Sequence, residues 1–496
     1  MIHTTRNAIP SGKILVLVAV MLPTLITFLM LVLDGSNLTS QFRDAQQIAD
    51  TAALSGADEM FFGESPSQIE QVAYDYATAN VNSPSTSVEV NCPPTAGMFA
   101  GSTRHVEVIL RDGVRNSFGS TRLGNEQTAI SARAVAGLKA VTDDSAIIVL
   151  DDDPPPFVVI PVLPIVPSLP ALVGGLEVLG IGRVTVDGAV IVNTDWGGVD
   201  EHGELVGENG LPPYGIACMP VLPLSKLLAP DIRTVGGVDR VKNYQRFNSP
   251  ESEVVLQARR RPVPDPFREL PVPTLSADSQ NVKADFYGGR TIVGLPLIGP
   301  PTVLKPGVYD WITIISGRVE FEPGVYIIRN RDPVTQISLT MLAGEVEAEG
   351  VMFYITNNQG YSPISGSPDA SDEETRPDNG GLLVNVAGLL PSTVVNIGLL
   401  GSKITPLDDP SSPFDGFAFY QRRFDRRPMV FVQENLLGNG NLEGNIYSKW
   451  GHVILAGKGV FDARFVVGTM RLVALLDIDI RPSVKLPPAY DVYLAE

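Results

Sequence analysis

Apolar residues along this chain form one long block and then many short runs. From Ile14 to Leu33 twenty residues carry no charge, which at about 1.5 Å per residue span about 30 Å, the thickness of a bilayer's hydrocarbon core. A transmembrane helix is predicted over 14–33. Arg6 and Lys13 precede it and Asp34 follows it, so the positive-inside bias predicts a cytoplasmic tail at 1–13 and an exported remainder. A cleaved signal peptide would have an apolar stretch of about 7–15 residues and a small-x-small site. This block is longer and runs into Leu33-Asp34-Gly35-Ser36-Asn37, so an uncleaved anchor is expected. Past it, Leu38, Phe42, Ala45, Ala49, Ala52 and Gly56 recur in steps of three and four, which continues the helix and lines one face with small residues. Such a face admits a partner helix at close range; packing on the chain's own domain is the commoner fate.

The pattern then shortens. A helix near 69–80 and strands over 105–110 and 128–135 make a small α+β module that fills 34–150. Seven prolines between Asp151 and Pro170 (154, 155, 156, 161, 164, 167 and 170) predict a stiff, extended linker over 151–174, because proline cannot donate to a sheet. From 175 to 482 the texture is short apolar strands broken by Gly, Asn and Pro, followed by a tail at 483–496. Leu304-Lys305-Pro306-Gly307-Val308-Tyr309 recurs as Phe321-Glu322-Pro323-Gly324-Val325-Tyr326. A repeat of this length signals a solenoid. The fold class is therefore α+β followed by all-β, the latter a parallel β-helix-like solenoid, with a two-sheet β-sandwich as the alternative. Pro306, Gly307 and Tyr309, and Pro323, Gly324 and Tyr326, mark its corners, with the Val of each copy expected to point inward and Arg329 outward.

Composition narrows the function. The formal charge is −18, which repels phosphate backbones and argues against nucleic acid as a partner. Gly (47) and Pro (41) are too frequent for a mainly helical protein. Four His and two Cys leave little for a zinc cluster, and no metal or cofactor is expected. Cys92 and Cys218 both fall on the exported side, where an even count permits one disulfide.

No catalyst stands out. Gly438-Asn439-Gly440-Asn441-Leu442-Glu443-Gly444 misplaces the third glycine of a dinucleotide fingerprint and leads into a strand rather than a helix. Asp151-Asp152-Asp153 and Asp372-Glu373-Glu374 read as solvated acids, and Arg422, Arg423, Arg426 and Arg427 around Asp425, with Arg259–Arg261 second, read as solvated basic tips. A surface that binds or cleaves polysaccharide is the alternative function, since enzymes on β-helices use clustered carboxylates on one outer face. A surface glycan would be its ligand.

One family resemblance emerges from these segments. Gly12-Lys13-Ile14-Leu15, then Asp34-Gly35-Ser36-Asn37-Leu38, then the run from Gln41 to Ala57 resemble the amino-terminal module of bacterial TadE/TadG-like proteins of tight-adherence (Flp) pilus assembly. Gly12, Pro23, Asp34, Asn37, Leu38, Ala45, Ala49, Asp50, Ala52, Ala53 and Ala57 match its pattern. Prepilin-type sites place Glu five residues after the glycine, where Leu17 stands here. The Asp-x-Ser-x-Ser metal motif of some larger members is likewise replaced by Asp151-Asp152-Asp153-Pro154-Pro155-Pro156. The carboxy-terminal region resembles TadG-like proteins in its P-G-x-Y repeats, the aromatic strand Phe414–Tyr420 and Asn439–Tyr447. The resemblance implies a non-enzymatic, single-pass protein of the bacterial inner membrane with most of the chain outside. Its implied partners are the membrane and other pilus-assembly or pilin-like proteins that meet the amino-terminal helix.

Overall fold

The computed structural model describes residues 13–81, 85–115, 127–155, 172–207, 210–220, 226–247, 255–275, 286–295, 299–372, 376–377, 390–398, 401–433 and 440–496. Residues 1–12 of the tail, most of the Pro-rich linker, Glu373, Glu374, Gly438 and Asn439 lie outside them. The chain forms two compact units: 1–139 with 490–496, and 140–489.

The first unit is built on α1 (Lys13–Phe61), whose 49 residues extend about 74 Å at 1.5 Å per residue. Gly63 closes it at φ +80, where the N–H of Glu64 reaches back to the carbonyl of Glu59 at 3.1 Å, as left-handed helix caps do. Helix α2 (Pro66–Asn80) begins at Ser65 with proline in its first turn, where a missing N–H costs nothing. Strands Ser87–Asn91, His105–Arg115 and Gln127–Ala140 pair antiparallel. The fourth strand of this sheet is Tyr490–Leu494, beside Gln127–Ala140. The last residues of the chain thus complete the sheet of the first unit, with Val135 N–H donating to the Glu496 carbonyl at 2.8 Å.

The second unit is mostly β, and its parallel sheet closes on itself. Three columns of parallel pairs run through it. One joins 307–309, 326–328, 353–355, 419–420 and 446–447. A second joins 290–292, 312–314, 339–341, 393–395, 429–431 and 453–455. A third joins 302–304, 319–321, 346–348, 403–404 and 441–442. The order then jumps: 465–467, 470–474 and 478–480 pair with 147–149, 176–180 and 184–186. The last strands of the unit therefore lie against its first, and 190–192, 214–220 and 227–229 continue outward from those.

The repeat owes its form to one side chain. Tyr309 donates its hydroxyl to the Lys305 carbonyl at 2.6 Å and Tyr326 does so to the Glu322 carbonyl at 2.8 Å, so each ring spans its own Pro-Gly corner and satisfies a carbonyl exposed by it. The two rings stack with centroids 5.8 Å apart, within a series that runs from Tyr287 through Phe353 to Phe419. The inward residue is the tyrosine, contrary to the expectation for valine. Tyr309 and Tyr326 belong to the central apolar cluster, while Val308 and Val325 face a second one on the flank. Alternation along a strand allows only one of two neighbours inside, and the larger ring takes that place. Arg329 is partly covered, paired with Asp310 at 3.2 Å and lying over the Phe286 ring at 4.1 Å.

That flank is covered by an extended segment, 258–275. Asn193 exchanges two hydrogen bonds with Val263, Tyr447 donates to Asp265 at 2.7 Å, and Tyr361 donates to the Pro273 carbonyl. Arg423 donates to the carbonyls of Phe267, Arg268 and Leu270 at 2.7, 3.0 and 2.9 Å. Five prolines (262, 264, 266, 271 and 273) remove donors from this segment, and a turn at 266–269, with Arg268 N bonding the Asp265 carbonyl at 3.2 Å, presents carbonyls that an arginine fork is suited to collect.

Candidate membrane anchor and charged clusters

Helix α1 has two halves of different chemistry. From Val16 to Leu33 large aliphatic residues surround the axis and are exposed, Val20 at 68% and Leu25 at 62%. This half is long and apolar enough to cross a membrane. Proline 23 sits inside it, and the hydroxyls of Thr24 and Thr27 bond the carbonyls four residues back, at 3.0 and 2.7 Å, which satisfies acceptors without water. From Ala45 onward the helix turns its small residues inward. Ala49, Ala52, Ala53 and Ala57 are fully buried, packed with Ile69, Ala73 and Ala77 of α2 and Val106 and Val108 of the sheet. A Cβ on Gly56 would lie 3.1 Å from the Ala73 Cβ and 3.2 Å from Val106 Cγ1. The expectation that the stripe meets a partner helix is therefore corrected for Ala49, Ala52 and Gly56, because the chain's own α2 and sheet occupy that face. Ala45 is partly buried on the same core, Leu38 is half-buried and Phe42 is 44% exposed.

The sheet side of this packing is held by a buried charge. Glu107 accepts from Arg133 Nε at 2.6 Å, from Thr95 N and Oγ1 at 3.0 and 2.8 Å, and from Asn91 at 3.1 Å. Burial alone would raise its pKa, but these donors outweigh it and hold the carboxyl below its ordinary value. Arg133 also pairs with Glu496.

In the second unit the charged stretches expected to be solvated prove to be one another's partners. Arg422 grips Asp372 through two bonds of 2.8 Å and lies 3.2 Å from Asp369. Asp369 is buried and also accepts from Tyr354 at 2.7 Å and from Thr356. Asp151 is 1% exposed, held by Arg376 at 3.0 Å and Arg426 at 3.4 Å, and Asp152 pairs with the same Arg376. Arg427 folds onto Asp425. Burial raises the pKa of Asp151, Asp265 and Asp369 against the pull of these cations and donors. The physical reason for the correction is that closure of the sheet brings together residues 50 to 275 positions apart, and a charge cannot enter such a core without a partner. These acids are engaged by cations and hydroxyl groups, an arrangement that clamps loops to the sheet.

The remaining candidates are quickly placed. Pro306, Gly307, Pro323 and Gly324 form the turns beneath the stacked tyrosines. Cys92 and Cys218 are free thiols. Cys218 is packed in the central core, where burial raises its pKa. Sequence reasoning missed the 258–275 segment, although its alternating prolines were a signal.

Residues 12–59 match the family described as "Putative Flp pilus-assembly TadE/G-like". No curated protein matches the chain, and no solved structure does. The matched segment ends two residues before α1 does, so it covers both the exposed apolar half and the buried small-residue half. Over residues 12–59 the chain is thus similar to TadE/G-like proteins of Flp pilus assembly.

Proposed function

We propose that the chain is a membrane-anchored, non-enzymatic component of Flp pilus assembly, a TadG-like accessory or minor pilin-type protein. The observation that carries this reading is the coincidence of the family match at 12–59 with one continuous helix, half apolar and exposed, half packed in a folded module. The charge order around 14–33 favours a single pass through the bacterial inner membrane, with the amino terminus in the cytoplasm and the chain after residue 33 outside. In this reading the second unit is a parallel β-helix-like solenoid that serves as a rigid scaffold. Its support is the three columns of parallel pairs and the stacked tyrosines on successive repeats. The capture of Asp151, Asp369 and Asp372 by arginines favours a structural role for the acids over polysaccharide cleavage.

Deleting the gene tests the proposal. Loss of surface pili, restored by the full chain and not by a chain lacking 1–33, is expected. Normal piliation in the deletion strain, with depolymerisation of a polysaccharide by the purified full chain, would overturn it in favour of the carbohydrate-directed alternative.

A further inference from the structure

The second unit has two corners of opposite character. Where the third column leads back to the first, the turns are polar and mostly acidic: Glu322-Pro323-Gly324, Glu349-Gly350, Glu443-Gly444 and Asp187-Gly188, with Lys305-Pro306-Gly307 the basic member. Where the second column leads to the third, the turns are apolar. Val460, Leu475, Leu476 and Ile181 are 52, 54, 54 and 43% exposed. They occupy adjacent turns: Ile181 N and Gly182 N both bond the Ala474 carbonyl, at 3.0 and 3.1 Å, and Arg481 N bonds that of Phe461 at 2.8 Å. These turns are built rather than loose. Gly182 has no room for a side chain, since a Cβ there would lie 2.0 Å from the Leu476 carbonyl oxygen, and Arg183 N is bonded to Asp477 at 2.9 Å.

Loop tips are ordinarily polar, and a cluster of exposed aliphatics on successive turns marks an interaction surface. Its occupant is indicated by what lies among the tips. Lys458 and Arg183 each stand within two residues of an exposed aliphatic and outnumber the one acid in these turns, Asp477, although the chain as a whole carries −18. Aliphatic tips interleaved with cations suit the bilayer interface, where the tips enter the acyl boundary and the cations meet anionic headgroups. The acidic corner would be repelled from it.

We propose that this corner, formed by Ile181, Val460, Leu475 and Leu476 with Arg183 and Lys458, docks the second unit on the surface of an anionic bilayer. A chain that already carries a helix able to span the bilayer holds its second unit at high effective concentration near that surface. Four partly inserted aliphatics then suffice where they would not for a free protein. The proposal rests on α1 lying in a bilayer and does not depend on the pilus reading.

The test uses the full chain reconstituted in vesicles of phosphatidylcholine and phosphatidylglycerol in equal parts. Nitroxide labels are placed at Leu476→Cys, Val460→Cys and, as the acidic-corner control, Glu322→Cys, each in a Cys92→Ala, Cys218→Ala background. Collision with oxygen should exceed collision with a water-soluble nickel complex at 476 and 460, and the ratio should reverse at 322. Arg183→Glu with Lys458→Glu should abolish the difference in these vesicles. Should that background not fold, quenching of an added Leu476→Trp by brominated lipid, against Glu322→Trp, gives the same reading in the native-cysteine chain. Aqueous behaviour at 476 and 460 while the chain floats with the vesicles would overturn the proposal and leave the anchor intact. Dipolar coupling between 476 labels on different chains would also overturn it, assigning the corner to a second copy.

Discussion

The two halves of α1 share one backbone and meet different surroundings. Between Val16 and Leu33 bulky aliphatics lie on every side, exposed among the described residues, whereas between Ala45 and Phe61 alanines gather on one side and disappear into a core. A helix that is apolar all round must find an apolar solvent. A helix whose apolar side is small finds a protein surface at close range instead. The contrast shows that side-chain size, as much as hydropathy, assigns each half its partner, and that the small-residue stripe of this family segment serves the chain's own fold.

The largest expected effect breaks the buried half. Gly56→Leu forces a side chain against Ala73 and Val106 and should cost about 3 kcal/mol or more, seen as loss of the first unit's cooperative melting. Ala52→Leu should act the same way, since Ala52 is fully buried. A stably folded Gly56→Leu protein would return the stripe to an external partner. Next comes the exposed half, where Val20→Arg should reduce insertion by about 2.5–3.5 kcal/mol without altering the first unit's melting, measured by membrane fractionation.

Gly324→Val sharpens the comparison by sparing both halves. Its backbone sits at φ +139 and a Cβ would lie 2.6 Å from Pro306 Cγ, so a cost of about 1–3 kcal/mol is expected in the second unit alone. Calorimetry should show one transition lowered and the other fixed.

Glu107 supports the buried half through charge. Its carboxyl titrates below the ordinary value, so its contribution is complete above the unfolded pKa, about 4.3, and is lost as pH falls through the lower folded value. Glu107→Gln should remove that part of the acid dependence and cost about 1–3 kcal/mol at neutral pH, read from denaturant melts at several pH values. The smallest effect is expected between the halves: Phe42→Ala, at a 44% exposed site, should change stability by less than about 0.5 kcal/mol.

How much of this was legible follows from range. The anchor, the stripe and the Pro-Gly-Val-Tyr repeat are local patterns, readable because hydropathy and turn chemistry act over a few residues. The partners of Arg422, Arg423 and Arg426 are not, since Asp372, the 258–275 carbonyls and Asp151 come within reach only when the sheet closes. The return of Tyr490–Leu494 to the first sheet, and the pairing of 465–480 with 147–186, are also invisible to local reasoning. Valine and tyrosine in the repeat were both apolar enough to face inward; their order depended on the hydroxyl's reach to a carbonyl four residues back.

The central claim, one helix with a bilayer half and a self-docked half, is tested most directly by single cysteines along α1 challenged with a water-soluble maleimide. The account predicts that positions 20 and 25 stay protected in vesicles and in mild detergent micelles, even when the first unit is unfolded. Positions 49 and 52 should stay protected in both until the first unit is denatured. Reaction of 49 and 52 in the folded protein, or their protection only when other pilus-assembly proteins are present, would contradict it.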